Sequence, residues 1–166
     1  MRRAARRRRS ARAAAPGLEL QLRRRVRSWA PSRRELTLWA ATALGRRAAG
    51  SELGVAIVGA PESRRLNTHY RGREHPTNVL SFPATPAAAA TRPRPLGDLV
   101  ICARVLRAEA RAQAKTLRAH WAHLVVHGAL HLIGYDHERA RDARRMERRE
   151  ISVLKRLGFA NPYRSA

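Results

Sequence analysis

Cysteine occurs once in the 166 residues, at Cys102, so no disulfide can form within the chain and a reducing compartment is expected. No stretch of 18 apolar residues appears, which argues against a membrane-spanning helix. The first fifteen residues hold no apolar run of the kind a secretory signal needs. Acidic residues are also scarce: 12 Asp and Glu face 35 Lys and Arg, for a formal net charge of +23. So basic a chain favours polyanionic partners, nucleic acid ahead of an acidic membrane surface. A genome biased towards Arg and Ala would give the same excess without any partner.

What is present divides into an arm and a domain. Residues 1–16 are rich in Arg and Ala, carry no acid and no periodicity, and close on Pro16. They read as a disordered basic arm, although the same composition resembles an organellar transit peptide or follows from an upstream start site. Residues 17–163 are long enough for one domain with a buried core.

Within that domain Leu18, Leu20 and Leu22 alternate with Glu19 and Gln21, as in a half-buried strand. Ser32 and Glu35 have the spacing of a capping box, and Leu36, Trp39, Ala40 and Ala43 form the apolar face of the helix behind it. Leu53 to Val58 is almost continuously apolar, hence a central strand. Pro61 opens a helix that ends at Arg71-Gly72, and short strands are expected at 78–82 and 98–102. The Ala/Pro-rich stretch 84–95 between them reads as a flexible surface loop. Helices are expected at about 103–114, 116–133 and 138–157. The order predicts an α+β domain, a four-stranded mixed sheet covered by about five helices.

Five of the seven histidines fall between His120 and His137. His123, His127 and His131 share one helix face, but eight residues rise about 12 Å, whereas zinc–nitrogen bonds measure about 2.0–2.1 Å. One straight helix therefore supplies two adjacent ligands, and a third must come from a chain that turns back. Gly134, three residues after His131, suits a left-handed helix end and lets His137 return to the site. The resulting H-x3-H-x5-H set, His127, His131 and His137, leaves a tetrahedral ion one open position, as catalytic rather than structural zinc requires. Zinc is expected on geometry and availability, though imidazoles also accept nickel or copper. His123 lies within reach as a secondary contact, His120 reads as partly exposed, and Cys102 reads as core.

Gly128 follows the first ligand, where metallopeptidases of the H-E-x-x-H type carry a general-base glutamate. Peptide hydrolysis is thus disfavoured, while a phosphodiester asks only for metal-generated hydroxide and a cation for the phosphate charge. Arg71, at a helix end before a glycine, is one of several arginines able to grip a phosphate.

The segment His127-Gly-Ala-Leu-His131-Leu-Ile-Gly-Tyr-Asp-His137 resembles the signature of the YbeY family of bacterial endoribonucleases. Leu66-Asn67, Tyr70-Arg71-Gly72 and Pro76 to Pro83 resemble a second motif of that family, and Gly97 to Cys102 a third. With His120 to His123, the likeness runs from about Glu52 to Tyr163. The resemblance implies a zincin-like fold and a zinc-dependent, single-strand-specific endoribonuclease with one zinc per chain. It further implies action on small-subunit ribosomal RNA, notably its 3′ end, and in ribosome quality control, with the ribosomal small subunit as partner. By the same resemblance His127, His131 and His137 are the ligands, and Arg71 and His127 are required for activity. Asn78, His123 and Asp136 are candidate secondary or substrate-binding residues. Ala129 replaces a more usual Ser or Thr, and the arm and the 84–95 loop lie outside the family pattern. A bacterial cytoplasm is expected, or a mitochondrial matrix if the arm is a transit peptide. The competing readings are a zinc-stabilised ribosome assembly factor and, further off, a metallopeptidase.

Overall fold

A computed structural model describes residues 17–164; the basic arm lies outside the described residues. Four strands, β1 (Glu19–Arg24), β2 (Ser51–Val58), β3 (Val79–Pro83) and β4 (Arg94–Cys102), form one sheet in the order β1-β2-β4-β3. β1, β2 and β4 run parallel, with Leu20 opposite Leu53 and Val55 opposite Leu99, and β3 closes the edge antiparallel to β4. Five helices accompany them: α1 (Arg33–Leu44), α2 (Ala60–Arg71), α3 (Ala103–Ala112), α4 (Leu117–Leu132) and α5 (Ala140–Arg156). The expected α+β class, strand count and helix count all hold.

β2 is an inner strand as expected, but it is not enclosed on both faces. Leu53, Val55 and Ile57 are buried while Gly54 and Ala56 keep some exposure, so only one face carries the main core. Small residues on the other face keep the run apolar without needing a second helical layer. The 84–95 loop is shorter than expected. It contains a 3-10 turn at Ala88–Ala90, and Arg94 and Pro95 already pair with Ser51 and Glu52 as the start of β4.

α1 begins as the sequence predicts. Ser32 accepts from the Glu35 amide and the Glu35 carboxylate accepts from the Ser32 amide, satisfying two otherwise orphaned donors. Leu36, Trp39, Ala40 and Ala43 then face the core. α4 is the central helix, packed against α1, α3, α5 and the sheet. Its closeness to the sheet depends on Gly128: a Cβ there would lie 2.8 Å from Leu99 Cδ2 and 3.3 Å from Ser81 Oγ.

Candidate metal centre

Two of the expected ligands project from successive turns of α4. His127 Nε2 and His131 Nε2 are 3.1 Å apart. The end of α4 brings in the third. Gly134, at φ +93°, donates to the His131 carbonyl, and Tyr135 donates to the Leu130 carbonyl, the paired bonds of a Schellman turn. Tyr135 packs back on the core, and the Arg145 guanidinium lies 5.1 Å from its ring centroid. Asp136 Oδ1 accepts from the amides of His137 (2.7 Å) and Glu138 (3.3 Å), which sets the loop's direction. The His137 ring ends 4.9 Å from that of His131 and 5.5 Å from that of His127.

One donor nitrogen from each of the three rings falls within 4.8 Å of the others. Two nitrogens on one tetrahedral ion sit about 3.4 Å apart when each bond is about 2.0–2.1 Å, so the His127–His131 pair already has ligand spacing. Burial, then the neighbouring His127 and His137, push His131 down to about 4, keeping its lone pair free at neutral pH. His137 is exposed while the other two are half-buried, so the cluster opens to solvent on one side.

Behind the trio stands Glu150 of α5, fully buried. Its Oε1 is 2.6 Å from His127 Nδ1, its Oε2 is 3.1 Å from His123 Nε2, and Oε2 also accepts from the Tyr163 hydroxyl. Burial alone would raise this carboxyl, but the bonds from His123 and His127 hold it at about 2. Burial and the carboxylate in turn push the Tyr163 phenol above its usual range. Neither Glu150 nor Tyr163 was expected from the sequence. A signal existed: Met146, Glu150, Val153 and Leu154 share the buried stripe of α5, and an acid on the apolar side of an arginine-rich helix needs a partner.

Other expectations need correction. His120 is 3% exposed rather than partly exposed, because Glu109 of α3 bonds its Nε2 at 2.8 Å. Asn78 joins that pair, its amide 3.1 Å from both Glu109 oxygens, so it braces β3 against α3 and makes no bond to the trio. His123 bonds to Glu150 behind the trio, and Cys102 is fully buried.

Arg71 ends α2 and is exposed; Gly72 caps the helix in a left-handed conformation. The loop that follows is held by Ser63 and Asn67, whose side chains bond the Thr77 and His75 carbonyls. No hydrogen bond or ion pair engages the Arg71 side chain among the described residues, and α2 packs on β4 and α3. A groove of about 760 Å³ runs between α2 and the open face of the sheet, lined by Arg23, Arg65, Tyr70, Phe82 and Asp98 among others. α4 lies over the Leu99 and Ser81 face, so groove and trio are on opposite faces.

A family model matches most of the chain that forms this sheet, histidine-bearing helix and returning loop. The model for endoribonuclease YbeY covers residues 26–158. The chain belongs to the YbeY family. An endoribonuclease YbeY of Alkalilimnicola ehrlichii is 50% identical over 155 residues, 90% of this chain and 93% of that one. A protein of Thermotoga maritima solved in solution shares the fold, with a TM-score of 0.54 and 21% identity over 84% of this chain and 91% of that one. The YbeY match includes all three histidines, Arg71 and Glu150, while Tyr163 lies beyond it. The zincin-like expectation is consistent with this fold, and no described helix is long and apolar enough to cross a membrane.

Proposed function

We propose that the chain is a zinc-dependent endoribonuclease that hydrolyses single-stranded RNA. It would act in maturation of the 3′ end of small-subunit ribosomal RNA and in ribosome quality control, with the small subunit as partner. Its compartment would be the cytoplasm, or the mitochondrial matrix if the arm is a transit peptide. The observation that carries the reading is the convergence of three imidazole nitrogens on one point at an open edge of a YbeY-family domain. His127, His131 and His137 would hold one zinc per chain. When bound, the ion supplies an activated water at neutral pH and polarises the phosphoryl oxygen.

The protein's own groups supply the rest. Arg71, exposed and without a described partner, has a planar fork suited to a phosphate and would stabilise charge that builds during displacement. The +23 charge favours the RNA backbone over neutral substrates. Peptide hydrolysis is disfavoured on packing as well as on chemistry. A glutamate at position 128 would have to grow from a Cβ already 2.8 Å from Leu99 Cδ2.

A second reading has its own support. The ion would tie the end of α4 to the loop that leads into α5, and on this reading zinc would serve chiefly to hold the domain together for ribosome assembly. Purified protein tests the choice, through cleavage of single-stranded and ribosomal RNA by wild type, Arg71→Ala and His131→Ala. Loss of cleavage in both variants, with folding retained in Arg71→Ala, supports the nuclease. Undiminished cleavage by either excludes the mechanism. Normal rRNA processing in cells carrying Arg71→Ala, with melting on chelation, favours the assembly factor.

A further inference from the structure

His127 presents one ring nitrogen to the trio and the other to the interior. Nε2 faces His131, while Nδ1 lies 2.6 Å from Glu150 Oε1. A carboxylate contributes no proton, so a contact this short places a hydrogen on Nδ1 and leaves Nε2 as the nitrogen that can meet a metal. Glu150 has no accessible surface, and its second oxygen is occupied by His123 Nε2 and the Tyr163 hydroxyl. It is therefore held from three directions, by α4 twice and by the chain beyond α5 once.

His123, His127 and Glu150 are also close enough to suggest a second ion. Distance decides against it. Ligand atoms about 2.0–2.2 Å from one tetrahedral ion are separated by about 3.4 Å, whereas 2.6 Å is the spacing of a charge-assisted hydrogen bond.

We infer that Glu150 is the positioning residue of the metal centre. It fixes His127 in the tautomer with hydrogen on Nδ1, aims Nε2 at the ion and strengthens it as a donor. Tyr163 secures the carboxylate from its far side. This role rests on the reading of His127, His131 and His137 as the ligands. Carboxylates placed in this way typically change metal affinity by about 10–100-fold.

Two measurements test it. The first is zinc affinity, by competition with a chromophoric chelator, for wild type, Glu150→Gln and His131→Ala, beside thermal melting of each metal-free protein. Glu150→Gln that folds but binds zinc about 10–100-fold more weakly supports the role; unchanged affinity overturns it. The second uses wild type alone, so it holds even where Glu150→Gln fails to fold. Nitrogen-15 shifts of the His127 ring should show a protonated Nδ1 without metal and a zinc-dependent change at Nε2. An Nδ1 without hydrogen, or zinc at Nδ1, overturns the role. Equal zinc affinity in wild type and His131→Ala would instead remove the ligand reading, and the metal-free tautomer would still judge Glu150.

Discussion

At the scale of single residues, the centre is built from three imidazoles open to solvent on one side and one buried carboxylate behind them. Removing a ligand differs from removing its support. His131→Ala deletes a nitrogen already 3.1 Å from its neighbour and should weaken zinc by more than about 100-fold, beyond the 10–100-fold of a supporting contact; calorimetric titration reads this directly. Glu109 offers a contrast away from the ligands. Burial raises its carboxyl, but bonds from His120 and Asn78 prevail and hold it below 4.5. A carboxyl lowered by folding stabilises the protein above its unfolded value and loses that contribution as pH falls below it. Glu109→Gln should therefore be less stable than wild type at pH 7, with the gap narrowing below about pH 4.5, as urea unfolding across pH will show.

The histidine trio was readable in the sequence because its logic is local. His127 and His131 are one turn apart, and Gly134 marks where the chain can reverse. Glu150 is legible as a buried acid on α5 but not as the partner of His127. It lies 23 residues beyond His127, on another helix, and only the packing of α5 against α4 brings the two together. The burial of His120 is hidden from the sequence for the same reason, since its partner Glu109 comes from α3.

Among the elements, α4 and its exit loop determine the site. Gly134 has φ +93°, which side chains with a Cβ resist by about 1–2 kcal/mol. Gly134→Ala should lower stability by about that amount and, because it moves His137, also weaken zinc. Ser32→Ala is the matching control: loss of the α1 capping box costs about 0.5–2 kcal/mol and should leave zinc affinity unchanged. Melting paired with metal titration separates the two. Gly128 carries a further consequence. Gly128→Val forces a side chain into fully buried Leu99 and should destabilise the domain by about 1–3 kcal/mol, measured by chemical unfolding. The capping box and the helices could be read from spacing alone. The sheet order could not, because alternation records which side of a strand is buried and says nothing of which strand lies beside it. The half-open β2 shows this: its small residues, Gly54 and Ala56, are apolar enough to look enclosed.

For the molecule as a whole, two features lie on opposite faces of one sheet. The trio is on the α4 side, and a large groove bearing Arg23, Arg65 and Tyr70 is on the other. The strong positive charge belongs to the entire chain, so it should govern association with RNA rather than metal binding. RNA affinity should fall steeply with salt, by about 0.7 log units per log unit of salt for each phosphate contacted on a single strand, while zinc affinity should barely move. The decisive measurement is cleavage of single-stranded RNA by protein of known metal content, before chelation, after it and after zinc is restored. Zinc-dependent cleavage requires one zinc per chain, loss of cleavage on chelation and recovery on restoration. Full cleavage by the metal-free protein would contradict it.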